Sequence, residues 1–142
     1  MKLLTLACAM LILTGVCGCV DQATQLPVPR YSLDMSTNNT AVKLKVGDYV
    51  KIVLKENPST GYQWFFTTSD NPTNAQGVKS AIEFAGQHVI QPDRALTGAP
   101  NTLEVMVRAI RPGKIELNGY YTRAWEKNKN TDVSVKYYLD IE

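Results

Sequence analysis

The sequence predicts an all-β protein, an immunoglobulin-like β-sandwich of about seven antiparallel strands. Three observations support this fold class. Apolar and polar residues alternate in short stretches, as in strands that bury one face. Gly, Pro, Asn and Asp separate these stretches at short intervals, as in two-sheet sandwiches. No stretch has the apolar spacing of a helix. With 142 residues, 44% of them hydrophobic and 20% charged, the chain has enough apolar side chains for one core.

The first predicted element is a signal peptide, residues 1–18, which does not contribute to the fold. Lys2 gives it a positive start, and the apolar stretch 3–16 is shorter than the roughly 20 residues of a membrane-spanning helix. The three cysteines of the chain, Cys8, Cys17 and Cys19, all lie in or next to this segment. The sequence therefore predicts an exported protein whose folded part has neither a disulfide nor a free thiol.

The tetrad Val16-Cys17-Gly18-Cys19 resembles the lipobox of bacterial lipoproteins. This resemblance implies cleavage after residue 18 and a lipid on Cys19. The chain is then expected in the bacterial cell envelope, either periplasmic or surface-facing, and attached to the membrane by the lipid anchor only. Cleavage after Gly18 by an ordinary signal peptidase would instead release a soluble protein.

Residues 19–39 are expected to form a flexible tether, because they are polar, lack periodicity and contain Pro27 and Pro29. The folded domain is expected to occupy residues 40–142. Its predicted strands are 41–46, 49–55, 62–67, 78–84, 103–110, 115–122 and 133–141.

Two connections in the domain have distinct turn chemistry. Residues 85–100 contain Gly86, Pro92, Gly98 and Pro100, and they are expected to form a long loop with one short strand at 88–91. The sequence Arg111-Pro112-Gly113-Lys114 predicts a tight turn that joins its two flanking strands as an antiparallel hairpin.

A third connection, Asn57-Pro58-Ser59-Thr60-Gly61-Tyr62, is expected to be a stiff loop. Pro58 fixes its own φ and favours extended backbone at Asn57, while Gly61 can adopt the positive φ that closes a turn. The hydroxyls of Ser59 and Thr60 can bond nearby backbone groups. A loop that is rigid before binding loses less entropy on docking, but these residues alone fit an ordinary turn equally well.

The sequence offers little for catalysis, so the chain is not expected to be an enzyme, and neither a cofactor nor a metal is expected. His88 is the only histidine, and no serine lies in an elbow-like sequence. Phosphate-binding glycine motifs are absent. The net charge of +2 and the scattered basic residues do not indicate binding to nucleic acid.

Three loops remain as candidate binding elements. They are the loop Asn57–Tyr62, the segment Gly98-Ala99-Pro100-Asn101, and Arg123-Ala124-Trp125. Alternate connections of a sandwich emerge at the same end, so the three are expected to form one edge. In this order they resemble the chagasin-type inhibitors of papain-like cysteine peptidases. That family has an Asn-Pro-Thr-Thr-Gly-aromatic loop, a Gly-x-Gly-Gly loop and an Arg-Pro-Trp loop on an immunoglobulin-like sandwich.

The resemblance covers residues 40–142 and implies a monomeric, reversible and competitive inhibitor of papain-like cysteine peptidases. The loop Asn57–Tyr62 would enter the active-site cleft, with Ser59 and Thr60 at its tip. Gly98, Ala99, Pro100 and Asn101 would follow a cleft wall through backbone contacts. Trp125 would lie flat on the enzyme beside the cleft, and Arg123 would either pair with the enzyme or remain solvated.

Structural roles compete with some of these assignments. Tyr62 and Trp64 fit core packing at the base of the loop, and Trp125 fits a ring that folds back on its own strands. Two positions depart from the family pattern: Pro100 and Asn101 replace glycines, and Ala124 replaces proline. Both departures predict weaker inhibition. The rival function is that of an immunoglobulin-like envelope lipoprotein with an adhesive or assembly role.

Overall fold

The computed structural model describes residues 27–71, 79–92, 98–126 and 133–142. These residues form two four-stranded sheets packed face to face. The strands are β1 (Tyr31–Leu33), β2 (Thr40–Leu44), β3 (Tyr49–Glu56), β4 (Tyr62–Thr68), β5 (Ile82–Ile90), β6 (Asn101–Ala109), β7 (Gly113–Arg123) and β8 (Ser134–Ile141). Single 3-10 turns lie at Met35–Thr37, Pro58–Thr60 and Ala124–Glu126. The predicted all-β, immunoglobulin-like class is confirmed.

The sheets have the strand orders β1-β3-β6-β5 and β2-β8-β7-β4. Most neighbours are antiparallel, but β1 lies parallel to β3 and β2 lies parallel to β8. Each central strand buries every second side chain between the sheets, as its alternating sequence predicts. The buried side chains of the central strands are Val50, Ile52, Leu54, Leu103, Val105, Val107, Ala109, Ile115, Leu117, Val135, Tyr137, Leu139 and Ile141.

The ordered domain begins before residue 40, where the sequence placed the end of the tether. Residues Tyr31–Leu33 pair with β3, and Leu33 is buried in the core. Asp34 then caps the turn Met35–Thr37, and the Tyr137 hydroxyl donates to the Asp34 carbonyl at 2.8 Å. A three-residue strand with one buried side chain has too little periodicity to be detected. The signal peptide and the tether before residue 27 lie outside the described residues and stay predictions.

Strand β5 corrects the prediction for residues 79–92; residue 78 and residues 93–97 lie outside the described residues. The sequence suggested a strand at 78–84 followed by a long loop with one short strand at 88–91, but β5 runs continuously from Ile82 to Ile90 through a bulge between Phe84 and Gly86. It is the edge strand of its sheet, and eight of its nine residues are exposed. Because both faces of such a strand meet solvent, apolar and polar residues do not alternate along it.

The predicted hairpin at Arg111–Lys114 is wrong, because β6 and β7 belong to different sheets. The backbone N–H groups of Ile110 and Arg111 both donate to the Ala81 carbonyl, at 2.9 and 3.3 Å. These bonds extend the pairing of β6 with the start of β5, and the chain then enters β7 of the second sheet, so the connection crosses the sandwich. Turn chemistry shows where a chain bends, and the sheet that receives the next strand depends on pairing with distant residues.

Candidate functional site

The three predicted loops lie at one end of the sandwich. Glu56, the last residue of β3, pairs with Asn101, the first residue of β6. Tyr62, the first residue of β4, pairs with Arg123, the last residue of β7. We define the first loop as Asn57–Gly61, the second loop as Gly98–Pro100 and the third loop as Ala124–Glu126. The prediction that these segments share one edge is confirmed.

The first loop has the backbone that its residues predict. Asn57 is extended, with φ −126° and ψ 90°, and Gly61 ends the 3-10 turn in the left-handed region with φ 77°. Within the turn, the N–H of Thr60 donates to the Asn57 carbonyl at 3.2 Å and that of Gly61 to the Pro58 carbonyl at 3.0 Å. The Thr60 hydroxyl also donates to the Asn57 carbonyl, at 2.7 Å. Hydrogen bonds among its own residues therefore already define the shape of the turn.

The side chain of Asn57 joins the first loop to the second. Its Oδ1 accepts a hydrogen bond from the Ser59 hydroxyl at 2.5 Å, which orients the amide. Its Nδ2 then donates to the Gly98 carbonyl at 3.2 Å, across 41 residues of sequence. Gly98 has φ 85°, whereas Asn101 is already extended as the start of β6. Asn39 is the one non-glycine residue with positive φ in the described part of the chain, so neither Pro100 nor Asn101 adopts that conformation.

The third loop touches the first through Trp125. The indole is 72% exposed, but one edge of it meets Gly61, since a Cβ atom placed on Gly61 would lie 3.0 Å from Cη2 of Trp125. Gly61 therefore has two physical reasons to be glycine: its positive φ and this close approach. The ring is neither folded back on the strands nor fully free. One edge is supported and its remaining surface faces solvent.

Arg123 lies between the first and third loops. Its Nε donates to the Thr60 carbonyl at 3.3 Å, across 63 residues of sequence. Its guanidinium carbon lies 4.6 Å from the centre of the Tyr62 ring and 5.8 Å from that of Trp125. Nη1 is 3.9 Å from a carboxylate oxygen of Glu126. Arg123 is therefore neither simply solvated nor unpaired.

Aromatic residues support this end of the molecule from below. Trp64 is 9% exposed and its Nε1 donates to the Lys55 carbonyl at 2.9 Å, which confirms its predicted core role. Tyr121 lies between Trp64 and Tyr62, with ring centres 5.1 and 5.4 Å away. The Tyr121 hydroxyl also accepts a hydrogen bond from the backbone N–H of Asn57 at 2.7 Å. Tyr62 is half-buried in this group, so it belongs to the base of the first loop.

Tyr121 is the supporting residue that sequence reasoning missed. Its distance along the chain from Asn57, 64 residues, hides the contact. A partial signal was available, because Tyr121 and Arg123 are two residues apart on one strand and therefore share a face.

The site contains no reactive group. Among the described residues, no cluster of His, Cys, Asp or Glu has a metal-binding arrangement. His88 lies on β5 opposite Glu104, in a strand, as the short strand predicted at 88–91 has it. Burial raises the pKa of Glu56, the last residue of β3 before the first loop. Such a surface can bind a partner by shape and hydrogen bonds.

Comparisons with known proteins identify the family to which this chain is similar. The family described as "Chagasin family peptidase inhibitor I42" matches residues 43–141. Amoebiasin-2 of Entamoeba histolytica is 27% identical over 104 residues, covering 73% of this chain and 79% of that protein. Chagasin of Trypanosoma cruzi is 30% identical over 90 residues, covering 62% of this chain and 76% of that protein.

Two solved structures share the fold. The cysteine protease inhibitor EhICP2 from Entamoeba histolytica has a TM-score of 0.64 at 23% identity, and the match covers 81% of this chain and 100% of that one. PbICP-C, solved in complex with falcipain-2, has a TM-score of 0.52 at 22% identity and covers 79% of this chain and 99% of its own. The predicted resemblance is confirmed: the chain belongs to the chagasin family, whose members are peptidase inhibitors and not enzymes.

Proposed function

We propose that the chain is a reversible, competitive inhibitor of papain-like cysteine peptidases that blocks the active-site cleft with its three loops. Family membership supports the activity. The observation that carries the mode of action is the physical joining of the loops. Asn57 bonds Gly98, and Arg123 bonds Thr60, across the gaps between them. Loops held together in this way lose little further entropy when they enter a cleft.

The first loop is the part that enters the cleft. Pro58, Ser59 and Thr60 are exposed at its tip. Both hydroxyl protons are already used within the loop, since Ser59 and Thr60 donate to Asn57. Toward a peptidase, the two hydroxyls therefore offer acceptor lone pairs. The turned backbone does not present an extended peptide for cleavage, and the loop carries no group that would form a covalent bond with a catalytic cysteine.

The other two loops flank the first. In the second loop, no heavy atom of the described residues other than the chain neighbours of Gly98 lies within 4 Å of where a Cβ atom would sit, so a cleft wall can approach the Gly98 backbone closely. In the third loop, Trp125 presents a large aromatic surface that is mostly in solvent. Large rings that lose water on binding carry much of the energy of protein interfaces. Trp125 is therefore the proposed anchor beside the cleft.

The lipid anchor and the envelope location are part of the same proposal. They are supported by the sequence Val16–Cys19, which lies outside the described residues. Expression in a bacterium with a palmitate analogue should label the full chain, and Cys19→Ala should remove the label. An unlabelled wild-type chain would contradict lipidation without affecting the inhibitory proposal.

Titration of papain and cathepsin L with the protein lacking its first 19 residues tests the inhibitory function. We expect full inhibition at or below micromolar concentration, with an apparent inhibition constant that rises linearly with substrate concentration. Activity should return on dilution, because no covalent bond forms. Both peptidases remaining fully active at micromolar inhibitor would refute the proposal. A monomeric mass by light scattering would support the view that one chain supplies all three loops.

A further inference from the structure

We propose that Arg123 is a positioning residue that fixes the first and third loops relative to each other before any peptidase binds. The inference rests on the proposed function, which explains why the loops must be held together. The residue pattern left two roles for Arg123, direct pairing with the enzyme or exposure to solvent. The contacts of the guanidinium favour this third role.

The edge, the face and one terminal nitrogen of the guanidinium each contact other residues of the chain. Its edge donates from Nε to the Thr60 carbonyl at 3.3 Å. Its carbon lies 4.6 Å from the Tyr62 ring centre and 5.8 Å from that of Trp125. Nη1 lies 3.9 Å from Glu126, and the side chain is 36% exposed. Each of these contacts is to a residue in or next to the first or third loop.

These contacts require the chemistry of arginine. A planar guanidinium can donate from its edge while its face lies against an aromatic ring. A lysine ammonium carries the same charge, but it has no plane to stack and no fixed fork of donors. Position 123 therefore requires the planar shape of the guanidinium as well as its charge. This distinction separates positioning from a simple electrostatic attraction to an acidic enzyme surface.

The alanine at position 124 bears on this role. The related inhibitors have proline there by sequence resemblance, and proline would restrict the third loop through its fixed φ. In this chain, the contacts from Arg123 to Trp125 and Glu126 restrict the same loop from the side. The family motif Arg-Pro-Trp contains both the arginine and the proline, so the two restrictions can act together. With the proline restored by Ala124→Pro, inhibition should depend less on Arg123.

Fluorine NMR on the free protein provides a test that does not depend on inhibition. The chain has two tryptophans, Trp64 in the core and Trp125 in the third loop, so labelling with 5-fluorotryptophan gives two signals. In Arg123→Gln, the Trp125 signal should shift and narrow toward that of a freely rotating ring, while the Trp64 signal stays in place and reports an intact core. An unchanged Trp125 signal would overturn the proposal.

Arg108 offers a matched control. It lies 5.8 Å from the ring centre of Tyr49 and pairs with Glu83 at 3.4 Å, at the end of the sandwich opposite the loops. Arg108→Gln therefore removes a similar stacked and paired arginine with the same change in charge. It should leave both fluorine signals and the inhibition constant unchanged. A shift of the Trp125 signal in this control would show that the signal responds to charge alone, and would overturn the assignment.

A double-mutant cycle on papain inhibition then separates positioning from direct contact. Arg123→Gln should raise the inhibition constant about tenfold in the wild-type background and by less than about threefold when Trp125 is already alanine. Equal losses in the two backgrounds would mean that Arg123 does not act through Trp125, and would overturn its role in fixing the third loop. Arg123→Lys should behave like Arg123→Gln, and full inhibition by the lysine variant would refute the role of the planar group. Should the wild-type chain fail to inhibit any papain-like peptidase, the proposed function fails, while the fluorine signals still decide whether Arg123 orders the loops.

Discussion

Replacing Gly61 with alanine should weaken inhibition by displacing the Trp125 ring, in addition to lowering the free energy of unfolding. Gly61 has φ 77°, a backbone conformation that costs an L-residue about 1–2 kcal/mol. The new Cβ would also lie 3.0 Å from Cη2 of Trp125, so the ring must move. Because Trp125 is 72% exposed, the ring can swing outward with little loss of core packing. The free energy of unfolding should therefore fall by about 1–2 kcal/mol, from the backbone alone.

Alanine variants of two other glycines distinguish the free-energy cost of the backbone conformation from the effect of displacing the ring. Gly47 has φ 97° and Gly98 has φ 85°, and among the described residues neither has a heavy atom within 4 Å of its Cβ position apart from its chain neighbours. Gly47 bonds the carbonyl of Ala109 at the end opposite the loops, so Gly47→Ala reproduces the strain away from the site. Urea unfolding should give similar losses for all three alanine variants. The papain inhibition constant should rise about tenfold for Gly61→Ala, or roughly 1.4 kcal/mol, and stay unchanged for Gly47→Ala.

The same series shows what would refute the reasoning. If Gly61→Ala inhibits papain as well as Gly47→Ala does, the position of Trp125 does not matter for binding. The view of the loops as one joined edge would then be wrong. If Gly61→Ala still costs about tenfold in a Trp125→Ala background, the loss arises in the first loop itself and not through the ring.

Four further substitutions test the roles of individual side chains. Trp125→Ala should weaken inhibition by about 2 kcal/mol or more while the urea midpoint stays constant, because the ring is an anchor in solvent; an unchanged inhibition constant would remove that role. Ala124→Pro should tighten inhibition by about 0.4–1 kcal/mol, because Ala124 starts a 3-10 turn after a strand, as Pro58 does; weaker binding would contradict this. Asn57→Asp keeps the acceptor for Ser59 but loses the donor to Gly98, so inhibition should weaken about tenfold. As a control, the same substitution at Asn118 on the sheet face should leave inhibition unchanged. Asp70→Asn should lower stability at pH 7, and the difference from wild type should shrink in urea unfolding as the pH falls below 3.8.

The sign of the Asp70 effect follows from its surroundings. Partial burial alone would raise the pKa of Asp70, but hydrogen bonds from Ser80, Thr68 and the N–H of Ala81, together with Arg111, hold it below its ordinary value. A carboxyl group with a lowered pKa in the folded state stabilises the fold above its unfolded pKa. That contribution is lost as the pH falls through the folded value. A difference between Asp70→Asn and wild type that grew in acid would contradict this account.

Local chemistry explains which parts of the fold could be predicted. Pro58 restricts its own backbone and Gly61 permits the positive φ that ends the turn, so the shape of the first loop followed from six residues. Alternation along β3 and β8 gave their buried faces for the same reason, since period and burial are linked within one strand. Strand β1 and the path of the chain after Arg111 depend on partners far away in sequence, and neither leaves a local pattern.

The features of the site also divide into those that the local sequence predicted and those that it did not. The three motifs located the loops, and strand order placed them at one end. The contacts between loops were not predictable, because each joins residues far apart in sequence. Asn57 reaches Gly98, Tyr121 reaches Asn57, and Arg123 reaches Thr60 through side chains whose direction depends on the assembled sheets. Sequence therefore indicated where binding would occur, and the structure indicates how the loops are kept in place.

The two departures from the family pattern should affect inhibition unequally. At the second loop, Asn101 is extended because it opens β6 and pairs with Glu56, so the sheet sets its backbone and a glycine there has no conformational advantage. Gly98 retains its positive φ and its bond to Asn57. At the third loop, Ala124 lacks the restriction of proline, and the contacts of Arg123 do not replace it, because the family motif has the arginine as well. Weaker inhibition than that of a full-motif relative should therefore come mainly from Ala124, within about 0.4–1 kcal/mol, and little of it from Pro100 and Asn101.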